Sequence, residues 1–73
     1  MQVYKAKRNF ESGLRALIHK EDVLELFEVE DGVHYFQVTE SAFALGFEVG
    51  LTTKEVENFL KKVVAWRAFS SYI

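Results

Sequence analysis

The side chains that could do chemistry in this 73-residue chain are two histidines and a few closely spaced carboxylates. Neither His19 nor His34 lies in a nucleophile or metal-ligand motif, and the absence of cysteine excludes a zinc–thiolate site. Glu28 and Glu30 would share one face of a strand, but acid–base catalysis by such a pair needs a cleft. The four glycines are isolated and form no phosphate-binding loop. We therefore expect a protein without enzymatic activity, metal or cofactor.

Composition indicates one small domain over residues 1–73. Hydrophobic residues make up 49% of the chain and aromatic residues 15%, which supplies enough large side chains for a core without disulfides. No apolar run approaches the roughly 18 residues of a membrane span, and no signal peptide is visible. We expect a monomeric cytoplasmic protein with no membrane segment.

Charge is distributed unevenly, although the net charge is only −2. Residues 1–20 carry five Lys/Arg and one acid (+4), residues 21–57 carry ten acids and one lysine (−9), and residues 58–73 carry three Lys/Arg (+3). An acidic segment between basic ends suits a partner protein with basic patches better than duplex DNA. The alternative is a solvated surface that only keeps the domain in solution.

The elements that would position these residues are predicted most strongly after Leu51. Thr52 and Glu55 have the spacing of a capping box, which predicts a helix start. Apolar residues then recur at helical spacing, which predicts a helix to about Trp66. These residues are Val56, Phe59, Leu60, Val63 and Val64.

A second, shorter helix is predicted over residues 42–49, with Ser41 as its cap and Gly50 as the residue that ends it. The combined pattern over residues 42–61 resembles the helix-turn-helix family. The residues that carry this resemblance are Leu45, Gly46, Val49, Gly50, Leu51, Val56 and Phe59. The alternative is an ordinary helical hairpin, which would bury much the same residues.

The first twenty residues are predicted to form a basic arm and a helix. Residues 1–8 are interpreted as a flexible basic arm, with a short edge strand through Val3 and Tyr4 as the alternative. Asn9 is a suitable cap for a helix ending at Lys20. The apolar stripe of this helix would contain Phe10, Leu14, Leu17 and Ile18.

A β-hairpin is predicted around Asp31 and Gly32, a residue pair typical of a two-residue turn. The predicted cross-strand pairs are Val29–His34, Phe27–Phe36 and Glu25–Val38. The alternative extends a helix over residues 22–28. The sequence thus predicts an α+β, mainly helical fold, in which a helix-turn-helix core follows the hairpin in a winged-helix-like arrangement.

The C-terminal segment contains four large apolar residues, which we expect to fold back onto the core. An exposed docking patch is the alternative. These residues are Trp66, Phe69, Tyr72 and Ile73.

As a whole, the chain resembles small phage-encoded transcription regulators of the Xanthomonas phage type, which bind host RNA polymerase. The resemblance implies binding to the β′ and β subunits, displacement of the σ factor, inhibition of initiation and antitermination in the host cytoplasm. From the residues alone, the candidate partner-binding positions are the basic arm, the acidic hairpin turn and the exposed face of the second helix. They are Tyr4, Lys5, Lys7, Arg8, Glu28, Glu30, Asp31, Thr53, Lys54, Glu57 and Asn58.

The main alternative function is a helix-turn-helix DNA-binding repressor or an excisionase-like protein. In that case the second helix would enter the major groove with Thr53, Lys54, Glu57 and Asn58, and the basic arm would contact phosphates. Two carboxylates on that helix, Glu55 and Glu57, make this less favoured than a protein partner. An antitoxin or another small-protein inhibitor is a third hypothesis.

Overall fold

The computed structural model describes residues 2–12 and 16–63, and this part of the chain is mostly β-structure. The predicted mainly helical fold with a helix-turn-helix core is therefore wrong. The elements are β1 (Gln2–Ala6), β2 (Phe10–Ser12), β3 (Ala16–Ile18), β4 (Val23–Glu30), β5 (Val33–Glu40), β6 (Glu48–Thr52), α1 (Thr53–Phe59) and β7 (Leu60–Val63).

Within residues 2–12 and 16–63, five strands form one antiparallel sheet in the order β6-β5-β4-β1-β7, and β2 and β3 form a separate two-stranded sheet. The edge strands β6 and β7 are joined by the seven residues of α1, which span about 10 Å. A flat five-stranded sheet would hold its edges roughly 19 Å apart, so the sheet must curl around its core. This is the connectivity of SH3-like barrels, a fold that hosts many unrelated functions and so assigns none.

The core lies inside the curled sheet. Its largest fully buried side chains are Phe36, Ile18, Leu24, Val38 and Val49. Two aromatic contacts extend this core towards its boundary. Tyr4 meets Phe36 edge to face at a centroid distance of 5.2 Å, and Phe10 stacks on Phe59 at 4.6 Å.

The region predicted as the first helix of a helix-turn-helix is a loop followed by β6. Gly50 lies inside β6, where an added Cβ would stand 3.2 Å from Cε1 of Tyr35, and it does not turn the chain. Val49 and Leu51 are both buried because alternate residues of a strand face the same side. The positive φ of 86° belongs to Gly46, which lies in the loop.

The helix predicted from Asn9 to Lys20 is also absent, because the described part of this segment forms β2 and β3. Phe10 pairs with Ile18, and both side chains are buried. Asn9 still uses its side chain locally, since its Oδ1 accepts a hydrogen bond from the Lys20 N–H at 2.7 Å. The predicted core residue Leu14 lies outside the described residues.

The predicted flexible basic arm is instead an ordered strand over its described part. β1 lies between β4 and β7 and pairs with both. Beyond the strand, the Lys7 N–H donates to the Phe59 carbonyl at 2.7 Å. A strand with two partners is held more firmly than the predicted edge strand would be.

The predicted hairpin is confirmed, but its register shifts twice, at Phe27 and between Val23 and Leu24. Asp31 and Gly32 have φ angles of 53° and 79°, as a type I′ turn requires, and Val29 pairs with His34. An irregularity at Phe27 then moves the pairing by one residue, so the other two predicted pairs are wrong. The observed pairs are Leu26–Phe36, Glu25–Gln37 and Leu24–Val38.

The predicted capping box is also confirmed. The Glu55 N–H donates to Oγ1 of Thr52 at 3.2 Å, and the Thr52 N–H donates to Oε1 of Glu55 at 2.9 Å. The helix ends at Phe59 rather than continuing to about Trp66, because Leu60–Val63 form β7 and pair with β1. The prediction that the C-terminal aromatic residues fold back onto the core lies outside the described residues.

Candidate binding surfaces

The residues that could do chemistry are dispersed over the described part of the barrel. His19 and His34 are half-buried, and within that part the Nδ1 atom of each has no hydrogen-bond partner. Glu28 and Glu30 are exposed on β4. Residues 2–12 and 16–63 contain no group of three His, Cys, Asp or Glu that could hold a metal ion. Surface features are therefore the better guide to function here.

Three large apolar side chains protrude from the connection between β5 and β6, and we call them the apolar loop. They are Phe43, Leu45 and Phe47, with 73%, 64% and 43% of their surfaces exposed. Ala44, which lies between the first two, is completely buried. Exposed apolar residues that cluster in this way mark interaction sites on soluble domains more often than isolated ones do.

Hydrogen bonds fix the backbone of the apolar loop. Oγ of Ser41 accepts from the N–H groups of Phe43 and Ala44 at 3.2 and 3.0 Å, but the helix that Ser41 was predicted to cap is absent. The Gly46 N–H donates to the Val38 carbonyl at 2.9 Å, so the far side of the loop is also tied to β5. The exposed side chains are thus presented on a preorganised backbone.

The loop is anchored to the segment before β4 through Asp22. This carboxylate is 9% exposed, and its Oδ2 accepts from the Ser41 hydroxyl at 2.7 Å and from the His19 N–H at 2.9 Å. The His19 ring lies against Phe43 at a centroid distance of 5.1 Å. One buried carboxylate therefore links the two chain segments that support the loop.

The acidic residues predicted to bind a partner lie together at the opposite end of β5. Glu28, Glu30 and Asp31 are exposed around the hairpin turn, and we call them the acidic tip. The first residues of α1, Thr53 and Lys54, are also exposed and follow Thr52, the residue paired with Val33 beside the turn. The structure therefore brings two of the three predicted groups to the same end of the barrel.

The third predicted group, the basic arm, is not a free surface. Tyr4 packs against the core, and Nζ of Lys5 lies 3.7 Å from Oε1 of Glu21. Nζ of Lys7 donates to the carbonyl of Glu57 at 2.6 Å, so the arm and the predicted helix face meet by direct contact. Two further candidates, Arg8 and Asn58, are exposed.

Pairing of β1 with β7 brings the two basic ends of the sequence side by side. Lys5 lies directly opposite Lys61, and the exposed Lys62 follows on the same strand. Like charges placed opposite each other on antiparallel strands are unfavourable. We call Lys5 and Lys61, which share one face of the sheet, the basic face, whereas Lys62 is on the opposite face. The uneven charge of the sequence thus becomes a separation of charge in space.

Sequence reasoning missed the apolar loop because residues 42–49 were interpreted as a helix. A period-two pattern was present in the same segment and is typical of strand and extended chain. It consists of Phe43, Leu45, Phe47, Val49 and Leu51, of which the last two are buried in β6 and the first three protrude before it.

Among the described residues, no helix is both long and apolar enough to cross a membrane. The chain matches no protein-family model, no curated protein and no solved structure.

Proposed function

We propose that this protein is a binding module that acts by occupying a surface on a protein partner, with the apolar loop at the centre of the contact. The observation that carries this proposal is the exposure of Phe43, Leu45 and Phe47 on a backbone fixed by hydrogen bonds. Aromatic and aliphatic anchors contribute most to binding when they enter a pocket on the partner. A preorganised loop loses little conformational entropy on binding, which favours affinity.

The proposed partner is bacterial RNA polymerase, through its β′ and β subunits, which follows from the resemblance of the chain to phage transcription regulators. Binding would inhibit initiation by steric exclusion, including displacement of σ, and would influence termination. The described residues offer two contacts of different chemistry for such a large partner. The apolar loop and the acidic tip lie at opposite ends of β5, whose eight residues span roughly 26 Å.

The decisive experiment measures binding of the full chain to purified core polymerase over a series of salt concentrations. Leu45→Glu should weaken binding at least tenfold at every salt concentration, because it places a charge in an apolar contact. Glu30→Lys should weaken binding mainly at low salt, because exposed charges are screened as ionic strength rises. Gln2→Glu adds the same charge as the first variant at an exposed position outside both surfaces, and serves as the matched control.

Two outcomes would contradict the proposal at different levels. If the unmodified chain does not bind core polymerase at micromolar concentration, the polymerase assignment fails. If the unmodified chain binds and Leu45→Glu binds equally well, the polymerase is supported as the partner, but the apolar loop is not the surface that contacts it. A transcription assay with σ-containing holoenzyme then tests whether binding inhibits initiation.

A second candidate function is contact with the phosphate backbone of nucleic acid through the basic face. It is favoured by one observation, the placement of Lys5 opposite Lys61. In a gel-shift assay, the affinity for duplex DNA should then fall steeply as the salt concentration rises, and the Lys61→Glu variant should not bind. The helix-turn-helix repressor is not retained, because residues 42–49 do not form the first helix of such a motif.

A further inference from the structure

β6 lies at one edge of the five-stranded sheet. Within residues 2–12 and 16–63, it pairs only with β5. Edge strands are commonly protected from further pairing by lysine, proline or a bulge. β6 has the sequence EVGLT, which contains no lysine or proline, and its pairing with β5 is regular from Glu48 to Thr52. Its backbone is therefore suited to accept another strand.

Two hydrogen bonds show which residues of β6 direct their backbone groups outward. The Thr52 N–H donates to the carboxylate of its own capping box at 2.9 Å, so this N–H points away from β5. The Phe47 carbonyl accepts from the Val38 N–H of β5 at 2.9 Å. Alternate residues of an antiparallel strand bond to the same neighbour, so the odd-numbered residues of β6 bond to β5. A further strand would therefore pair with the backbones of Glu48 and Gly50.

The outer face of the sheet beside this edge combines an aromatic ring with carboxylates. Side chains alternate along a strand, so the neighbours of the buried core residues face outward. Tyr35 lies opposite Gly50 on β6 and opposite Glu28 on β4. A Cβ added to Gly50 would lie 3.2 Å from Cε1 of Tyr35, so this ring lies over the glycine. The next residue on this face of β5 pairs with Glu25 and Glu48.

The charge of this part of the sheet defines the chemistry of the segment that would fit the edge. Residues 22–53, which supply β4, β5 and β6, contain seven acids and no lysine or arginine. A basic side chain on an added strand would be attracted both by the carboxylates and by the face of the Tyr35 ring. The edge therefore suits an extended segment with lysine or arginine at alternate positions, since strand addition recognises alternate side chains.

We infer that the outer edge of β6 binds an extended, basic segment of the partner protein as an additional antiparallel strand, with basic side chains beside Tyr35 and Glu48. This surface is continuous with the apolar loop, because Phe47 directly precedes β6. The inference rests on the proposed binding of a protein partner and adds a second mode of contact to it. It holds whether or not that partner is the polymerase.

The test adds a short synthetic peptide that alternates lysine and valine to the full chain. Titration followed by nuclear magnetic resonance should show the largest changes at β6. Hydrogen exchange of the Glu48 and Gly50 amides should become slower when the peptide is bound, because their N–H groups gain acceptors. Exchange of the Val49 amide should not change, because this N–H points towards β5.

Two N-methylated peptides of equal charge provide matched controls. If the lysine side chains lie on the same face as Tyr35, the backbone N–H groups of the lysines point towards β6 and those of the valines point away. Methylation of the lysine backbone nitrogens should therefore abolish binding, and methylation of the valine nitrogens should not. Equal binding of the two peptides would overturn the inference, because charge attraction alone would then explain it.

Variants of the chain test the charge and separate this inference from the proposed function. Glu48→Lys should weaken peptide binding by roughly fivefold. Glu21→Lys makes the same change at an exposed position beside β1 and should have little effect. Leu45→Glu should not weaken peptide binding, although it should weaken binding of the polymerase.

Three results would contradict strand addition at β6. The first is equal weakening by Glu48→Lys and Glu21→Lys. The second is slow exchange of the Gly50 amide in the free protein, because the edge would then already be occupied. The third is loss of peptide binding in Leu45→Glu, because the peptide would then bind at the apolar loop. Failure to bind polymerase, with the peptide results intact, would contradict only the proposed function.

Discussion

The connection before β5 is a two-residue turn, whereas the connection after it is a loop over residues 41–47 that side chains hold in place. The turn takes its shape from the backbone, with positive φ at Asp31 and Gly32. The first part of the loop is held by two side chains, those of Asp22 and Ser41, in addition to the backbone hydrogen bonds that tie its far side to β5.

This difference determines which side chains are left for a partner. At the turn, the backbone alone sets the conformation, and the carboxylates of the acidic tip make none of the hydrogen bonds described there. Their negative charges therefore remain available to a partner. At the loop, the buried Asp22 and the half-buried Ser41 are engaged in hydrogen bonds, and the apolar side chains face solvent. The two ends of one strand therefore present opposite chemistries for physical reasons that can be tested separately.

The largest expected effect comes from removing the anchor of the loop. Asp22→Ala leaves the His19 N–H and the Ser41 hydroxyl without their acceptor, and should lower the free energy of unfolding by about 3 kcal/mol. Chemical denaturation measures this loss. Asp31→Asn at the turn is the matched control and should cost little, because asparagine tolerates positive φ. If both variants lose the same free energy of unfolding, side chains would not be more important for the loop than for the turn.

Among the residues that the structure describes, two glycines have a positive φ, and they provide a direct comparison of the connections. Gly32 and Gly46 have φ angles of 79° and 86°, and an added Cβ would meet nothing within 4 Å at either position. Alanine at each should therefore cost the same backbone strain, roughly 1–2 kcal/mol, measured by thermal or urea unfolding. Asparagine at either site should cost less. A much larger loss for Gly46→Ala would indicate a close contact of the kind expected in a helix-turn-helix.

The cap of α1 should contribute a smaller amount. Thr52→Ala removes the acceptor for the Glu55 N–H and should cost about 1 kcal/mol. Thr52→Ser keeps the acceptor and should restore most of the stability, which urea unfolding can resolve. If alanine and serine behave alike, the hydroxyl is not the stabilising group, and the helix depends only on packing of Val56 and Phe59 against the core.

The smallest effect is expected for the side chains proposed to bind a partner. Leu45→Ser should change the free energy of unfolding by less than about 0.5 kcal/mol, because the side chain is 64% exposed. The same unfolding measurement on Val38→Ser, in the buried part of β5, should show a loss several times larger. A large loss for Leu45→Ser would mean that the loop residue supports the fold, and its exposure would no longer argue for a binding role.

Local signals in the sequence were sufficient to predict two features of the fold. The turn at Asp31 and Gly32 and the cap formed by Thr52 and Glu55 depend on residues within four positions of one another. The interactions that form the turn and the cap do not need any residue from a distant part of the chain. The acidic tip could be placed for the same reason, since the turn positions its residues directly.

The remaining elements could not be predicted because distant partners decide them. Ser41 caps a turn whether a helix or a loop follows it, and the Leu60–Val63 segment becomes a strand only because β1 lies beside it. The irregularity at Phe27 changes the register of β4, although β4 contains no glycine or proline from which it could have been predicted. The apolar loop was missed on the same grounds, since helical and alternating patterns overlap in its residues.

The pairing of β1 with β7 has a consequence for how this domain would respond to mechanical force. Val3 lies opposite Val63, so the described chain enters and leaves the barrel side by side. Tension applied between these two points would act across the strand pair, parallel to its hydrogen bonds. The bonds would then rupture one after another, and we expect the barrel to open under small forces, starting from β7, the last strand that the structure describes.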